Sequence, residues 1–146
     1  MRFIKENDYK GYIKPELKIT VCGAVTNNEP SINQVNAEDT AISTITEYLG
    51  GRYDCAAIFT PWDGTGTDTR NKHIIKLVIA LALYYLYHQT GMKDIPEHRK
   101  VDYDDAISWL KDAGRGTVRA TLPVLTSEQN LGEIRWNSQK PTNNRW

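Results

Sequence analysis

The alternation of apolar and polar positions along the chain predicts a series of helices separated by loops. The clearest helix is KLVIALALYYLYH, in which Leu77–Tyr87 is an uninterrupted apolar run. That run is too short for a membrane span, which needs about 20 apolar residues. A helix that is apolar on every side must therefore be covered by protein. We predict a long central helix, capped at its start by Asp68 or Thr69 and ending near Gln89.

A second amphipathic helix precedes the central one. Ile42, Ile45 and Leu49 recur at helical spacing, so they would form its buried face. Asn36 is placed to cap its N-terminus, and the glycine pair 50–51 ends it. The polar, glycine-rich stretch TPWDGTGTD then connects it to the central helix.

A third helix is predicted in EHRKVDYDDAISWLKDAGRG, which follows Pro96. Its buried stripe, at spacings of three and four residues, comprises Tyr103, Ala106, Ile107 and Leu110. The glycines at 114 and 116 close it. The predicted core of the whole domain comprises Ile75, Val78, Leu81, Ala82, Tyr85, Ile107 and Leu110.

The two ends of the chain give weaker patterns. A short helix is predicted for Glu6–Ile13. In 15–34 the β-rich LKITVCGAV and the turn-forming TNNEPSINQ conflict, so we predict a loop, with a short strand as the alternative. The polar segment 126–146 cannot build a core alone. The predicted fold is all-α: a small bundle of about four helices over 1–125, with a long apolar central helix, and an extended C-terminal arm over 126–146.

Charge and cysteine content narrow the function classes. The 146 residues carry 18 basic and 18 acidic side chains, so the chain lacks the basic surplus that by itself indicates binding to nucleic acid. Cys22 and Cys55 show neither a CxxC spacing nor a nearby pair of histidines. The N-terminal MRFIKENDYK has charges where a signal peptide needs an apolar core. We expect a reduced, intracellular protein without a membrane segment.

No stretch of the sequence indicates catalysis or metal binding. Asp102, Asp104 and Asp105 would diverge by about 100° per residue on a helix, so they cannot converge there on a cation. The three histidines lack the i, i+4 spacing of a helical zinc site. DGTGTD lacks the lysine and hydroxyl of a phosphate-binding loop, and no nucleophile motif appears. We predict no catalytic residue, no metal and no cofactor, so the protein would not be an enzyme.

The apolar central helix also indicates self-association. A bundle of about four helices, two of them short, has difficulty covering such a helix on all sides. An uncovered apolar patch usually marks a protein interface. We therefore expect an oligomer.

A series of short motifs resembles the head-to-tail connector proteins of Mu-like phages and prophages. In chain order they are YLGGRYD, AAIF, IPE, YDDAISWLKDAGRG and LP, and they span about Ala41 to Pro123. The resemblance implies a helical, non-catalytic adaptor that forms a homo-oligomeric ring, a dodecamer, between the portal protein and the tail. Genomic DNA would pass through its lumen without specific binding, which suits a neutral chain. The protein would lie in the virion neck and, during assembly, in the host cytoplasm.

The candidate interface residues fall into three groups. Arg52 and Asp54, directly after a helix end, would fix a corner between helices by ion pairing or carbonyl capping. Arg99 and Asp102 belong to a charged helix face that, with Lys100 and Asp105, would be available for pairing with a neighbouring subunit. The arm carries Arg135, Trp136, Arg145 and Trp146, and arginine and tryptophan are residue types that anchor interfaces.

Two other function classes remain open from the residues alone. One is a small helical nucleic-acid-binding or regulatory phage protein, which a basic stripe on the folded surface would favour. The other is an enzyme with an unfamiliar site, which an apolar pocket with converging His and Asp groups would favour. The segment 15–34 departs from the family pattern, so the resemblance assigns it no role.

Overall fold

The structure, a computed structural model, consists of helices joined by loops. It describes residues 1–26, 29–91 and 94–126. A short 3-10 helix at Glu6–Gly11 is followed by α1 (Pro15–Cys22), α2 (Ile32–Leu49), α3 (Cys55–Ile58), α4 (Lys72–Gln89) and α5 (Glu97–Arg115). Within these described ranges β pairing is limited to isolated bridges, such as Tyr53 with Val124. The prediction of an all-α bundle is confirmed.

α4 lies at the centre of the bundle, as its continuous apolar run predicts. It packs against α2 and α5, and these two helices also contact each other. The predicted core residues Ile75, Val78, Leu81, Ala82 and Leu110 are buried, and Tyr85 and Ile107 are half-buried against the same core. The core prediction is therefore confirmed. Each fully buried leucine-sized side chain contributes about 1.5–3 kcal/mol, so this row is a large part of the apolar stabilisation.

The N-terminal segment, residues 1–22, completes the cover over α4. Its buried apolar side chains are Phe3, Ile4, Tyr9, Ile13, Val21 and Cys22. α1 contacts α4, and the Phe3 and Phe59 rings meet edge to face with centroids 5.3 Å apart. The apolar side chains of α4 are thus buried or half-buried within one chain. The prediction that this helix leaves an apolar face uncovered is wrong, and the expectation of an oligomer has to rest on other surfaces.

Residues 15–34 include helix where the sequence predicts a loop or a strand. Pro15 stands at the first position of α1, where its missing N–H costs nothing. Val21 and Cys22, at the other end of α1, are buried. Burying them outweighs the weak β preference of the ITV stretch, because such preferences depend on context. Gly23, at φ 88°, ends the helix with a backbone conformation that favours glycine.

Two helices begin at residues other than those that the sequence predicts. Ser31, not Asn36, caps α2, so this helix starts several residues earlier than expected. Asn71 caps α4 with its side-chain oxygen, and neither Asp68 nor Thr69 does so. Arg70 donates hydrogen bonds to both carboxylate oxygens of Asp68, so this carboxylate does not cap the N–H groups of α4.

The other helix ends follow the predictions with two exceptions. α4 ends at Gln89 and α5 begins directly after Pro96, both as predicted. The N-terminal helix is of the 3-10 type and ends at Gly11 instead of Ile13. Gly114 does not close α5 but lies inside it. Its role is to admit α2, since a Cβ at this position would lie 2.5 Å from a backbone carbonyl oxygen of that helix.

Candidate interaction surfaces

Arg70 joins the N-terminal segment to the start of α4. Its guanidinium donates to both carboxylate oxygens of Asp8, at 2.7 and 3.1 Å, and to both of Asp68, at 2.9 and 2.8 Å. It also donates to the carbonyl of Phe3. The hydrogen bonds from Arg70 hold the pKa of Asp68 well below its usual range. Because every carboxylate oxygen here has a donor, we assign this buried cluster a structural role.

A second buried polar cluster surrounds Glu38, which is 3% exposed. The hydroxyl of Tyr9 donates to it at 2.8 Å and the amide of Gln34 at 3.0 Å, and Arg2 forms an ion pair with it. Burial raises the pKa of Tyr9, so the hydroxyl remains a donor. Burial likewise raises the pKa of the nearby Cys22 thiol to about 11, which leaves it protonated and unreactive at neutral pH.

The corner after α2 contains two of the predicted interface residues. Asp54 caps α3, its side chain accepting from the Ala57 N–H at 3.1 Å. The Arg52 guanidinium lies against Gly116, where a Cβ would come within 2.6 Å of its Cζ. The Asp54 N–H also donates to the carbonyl of Pro123 at 2.9 Å. The motifs RYD, GRG and LP, distant in the sequence, therefore meet at one corner.

Beside this corner is an open hollow of about 560 Å³, which we call the basic concavity. It is lined by Gly51, Arg52, Tyr53, Gly116, Val118, Arg119, Ala120 and Val124. Arg52 and Arg119 are exposed, and neither forms an ion pair with a described residue. Val124 is 65% exposed. The sequence interpretation missed this surface, because only the fold brings the arginines of GGRY and GRGTVR together.

A smaller groove lies between α4 and α5. Its volume is about 200 Å³, and it is lined by His73, Lys76, Leu77, Ala80, Asp102, Asp105, Ala106 and Trp109. Small-molecule sites usually measure about 300–1,000 Å³, so this groove is small for one. Burial, reinforced by Lys76, lowers the pKa of His73, whose ring contacts that of Trp109 at 4.5 Å. Within the described chain no hydrogen bond joins His73 to Asp102 or Asp105, so no acid–base pair is assembled.

Arg99 does not lie on the exposed charged face where the sequence places it. It is 7% exposed, and its Nη2 donates to the carbonyl of Tyr12 at 2.5 Å. Its Nη1 lies 3.7 Å from the carboxylate of Asp102, which is half-buried. The placement predicted for Arg99 is wrong, because α5 packs this side chain onto the N-terminal segment. The predicted arm residues Arg135, Trp136, Arg145 and Trp146 lie outside the described residues.

α1 exposes apolar side chains that the sequence interpretation did not single out. Leu17 and Ile19, with Val25 shortly after the helix, are exposed. Ile19 and Val25 border a hollow of about 220 Å³, which is also lined by Glu6, Asn7, Tyr9, Lys10, Ile13, Pro15 and Lys18. Leu17 points to another side of α1, so Ile19 and Val25 are the exposed apolar groups at this hollow that could contact another protein.

The described part of the chain contains neither a cluster of metal-binding side chains nor a helix suited to a membrane. None of their His, Cys, Asp and Glu side chains form a group of three or more that could hold a metal ion. Asp104 and Asp105 are exposed on α5, which agrees with the prediction of a solvated acidic face. No helix in this part of the chain has the length and apolar character needed to cross a membrane.

The sequence matches one family model over most of its length. The model described as Bacteriophage Mu, Gp36 matches residues 13–135. This match is wider than the motif series at 41–123, and it includes the segment 15–34 that departs from the expected pattern. No curated protein matches the chain, and no solved structure does.

Proposed function

Because the chain belongs to the bacteriophage Mu Gp36 family, we propose that it is a structural virion protein, a head-to-tail connector that forms a ring between the portal and the tail. One observation carries the connector role. The motifs RYD, GRG and LP, through which the chain resembles connector proteins, converge on one corner beside the open basic concavity. Motifs that build an accessible surface are what an adaptor requires, since it acts through contacts with other subunits.

The ring would be held by side-to-side contacts between identical subunits. Heterologous contacts, in which one patch meets a different patch on the next copy, close into a ring when the rotation between copies permits. The hollow bordered by the exposed Ile19 and Val25, and the basic concavity, are available for such contacts. A net charge of zero suits a lumen that passes DNA without retaining it. We place the ring in the virion neck, with assembly in the host cytoplasm.

The C-terminal segment 126–146 serves in this proposal as an arm that binds a neighbouring subunit or the tail. Trp136 and Trp146 each follow an arginine, and these residue types anchor interfaces. Twenty extended residues reach at most about 70 Å, enough to cross one or two neighbours in a ring. An arm of this composition binds by ordering on its partner.

The basic concavity also favours a second candidate function, a small nucleic-acid-binding phage protein. Arg52 and Arg119 present guanidinium groups without a described acidic partner, and such groups bind phosphates. The two functions differ in their salt response. Binding to duplex DNA that weakens steeply and log-linearly with salt would favour this second function.

Electron microscopy of particles tests the connector proposal. We expect a ring of density between portal and tail into which the α2, α4 and α5 bundle fits. Particles made without the protein should accumulate as separate filled heads and tails, and the protein supplied in trans should restore joining. A complete neck map without any copy of this chain would sink the proposal.

A further inference from the structure

We propose that the basic concavity of one copy receives an acidic ridge on α5 of a second copy. The acidic ridge consists of Val101, Asp104, Asp105 and Ser108. The inference rests on the proposed function only for the setting, a ring of identical subunits. It adds which two surfaces meet and which charges decide the contact.

The acidic ridge is one exposed face of α5. Its four residues follow the i, i+3, i+4, i+7 spacing of one side of a helix. Asp104 and Asp105 are exposed, and no described residue forms an ion pair with either of them. Val101, 49% exposed, adds an apolar group beside them. The opposite side of α5 buries Ala106 and Leu110, so the ridge lies on the side of the helix turned away from the core.

The basic concavity is held in shape by the fold. The Arg52 carbonyl accepts from the Leu125 N–H at 3.1 Å, so the strip that carries Val124 is tied to the corner. Gly116 ends α5 at φ 79° directly under the Arg52 guanidinium. A partner therefore meets two guanidinium groups and an exposed valine on a preformed surface, which lowers the ordering cost of binding.

The two surfaces match in shape, charge and polarity. A convex helix face fits an open hollow, in the manner of a helix docking in a groove. Two carboxylates without an ion pair among the described residues would face Arg52 and Arg119, which have none there either, and carboxylate–guanidinium pairs are among the stronger hydrogen-bonded contacts. Val101 on the ridge and Val124 in the concavity bring an apolar group to each side. The net charge of the chain is zero, so it does not reveal that one surface is acidic and another basic.

In this proposal the contact is heterologous, because the ridge and the concavity are different surfaces of the chain. Asp104 and Gly116 are separated by twelve residues at the C-terminal part of α5, about 18 Å at 1.5 Å per residue. One copy therefore cannot place its own ridge in its own concavity along this helix. Each copy would give its ridge to one neighbour and its concavity to the other, which is the arrangement that closes into a ring.

Disulfide trapping of the full-length protein tests the contact directly. Asp104→Cys and Arg119→Cys are combined in one chain in a Cys55→Ser background, since the remaining Cys22 is buried. The Val118 N–H bonds to the carbonyl of Asp112, which lies eight residues, about 12 Å along α5, from Asp104, so a bond within one chain, which needs Cα atoms within about 7 Å, is not expected. We expect a ladder of covalent oligomers at high protein concentration. A single dimer band would overturn the heterologous arrangement, and the absence of any cross-link would overturn the contact.

Charge reversal tests whether the opposite charges decide the contact. Arg119→Glu and Asp105→Arg should each reduce assembly into necks at least about tenfold, because like charges would then face each other. The double variant, and a mixture of the two single variants, should restore it. Asp39→Arg makes the same charge change as Asp105→Arg at an exposed position on α2, outside both surfaces, and should have no effect.

The outcomes separate this inference from the proposed function. If the concavity bound DNA instead, Asp105→Arg would not rescue Arg119→Glu, and the inference would fail while the chain remained a neck protein. If the ladder forms but particle maps lack the chain, the contact stands and the connector role fails. Single variants that melt like the parent and assemble fully would also overturn the contact.

Discussion

The surroundings of α4 and the attachment of the N-terminal segment, residues 1–22, are held together by different forces. α4 is enclosed by apolar side chains, and Leu81 and Leu83 are fully buried. The N-terminal segment adds apolar contacts too, but it is also fastened by Arg70 and by the cluster around Glu38. Apolar burial scales with area and has little directionality, whereas ion pairs need particular partners at particular distances. The first arrangement is therefore visible as periodicity in the sequence, and the second is not.

The largest effect is expected where an ionised group is forced into the apolar surroundings of α4. Leu81→Asp should lower the free energy of unfolding by more than about 4 kcal/mol, because a charge without a partner would be buried. Ile19→Asp on exposed α1 is the control, with a change within about 0.5 kcal/mol. Melting temperatures measure both, and a Leu81→Asp protein as stable as the parent would mean that α4 is not central.

The next largest loss of stability is expected when Arg70, which attaches the N-terminal segment to the start of α4, is removed. Arg70→Ala should cost about 3 kcal/mol, because it removes the buried guanidinium that binds the half-buried Asp8 and Asp68 and leaves Asp68 with Lys72 alone. Lys72 contacts the same Asp68 from the surface, so Lys72→Ala should cost no more than about 1 kcal/mol. Urea unfolding of both variants makes the comparison. If both variants lost the same free energy of unfolding, the buried Arg70 would stabilise the fold no more than the exposed Lys72 does.

Gly114 tests the close packing between α2 and α5. Alanine in a helix interior normally stabilises by about 1 kcal/mol relative to glycine. Here the added Cβ would lie 2.5 Å from the carbonyl oxygen of Tyr48, so Gly114→Ala should instead destabilise by about 1–3 kcal/mol. At Gly51, in the turn after α2, no described atom lies within 4 Å of such a Cβ, and Gly51→Ala is the control for an added methyl group. A stabilising Gly114→Ala would contradict the close approach of the two helices.

Acid should weaken the Arg70 cluster by a smaller amount. The pKa of Asp68 is depressed in the folded chain, mainly by its hydrogen bonds with Arg70. Its contribution is therefore fully present above the ordinary aspartate pKa of about 3.9 and is lost as pH falls towards the folded value. The parent should be more stable than Asp68→Asn at pH 7, and this difference should shrink in acid. If the stability difference between the parent and Asp68→Asn stayed constant down to low pH, an ionised Asp68 paired with Arg70 would not be its source.

The smallest effect on stability is expected from removing the arm. Deleting 127–146 should leave the melting temperature nearly unchanged, because the segment is too polar to build a core. The same deletion should block ring closure or tail attachment in particles. Full infectivity of particles that carry the shortened chain would refute the role proposed for the arm.

The candidate contact surfaces were only partly predictable. The spacing of apolar residues was enough to place Leu81 and Leu110 in the core. The positions that a helix buries recur every three to four residues, so they can be read from the sequence. The same approach placed Arg99 in solvent, whereas its guanidinium bonds to a carbonyl 87 residues away. Asp54 was expected to fix a corner with Arg52 by ion pairing or carbonyl capping, whereas its side chain accepts from the Ala57 N–H and caps the short α3, which the sequence did not indicate.

By itself, the sequence determined the all-α class, the central position of α4 and the membership of a phage protein family. It also determined that the chain carries no net charge. Only the tertiary structure distinguished Arg70, whose guanidinium is saturated by two aspartates, from Arg119, which faces solvent without a described acidic partner. The reason is physical. Ion pairs and hydrogen bonds act over a few ångströms between residues that are distant along the chain, and no local periodicity records which of them meet.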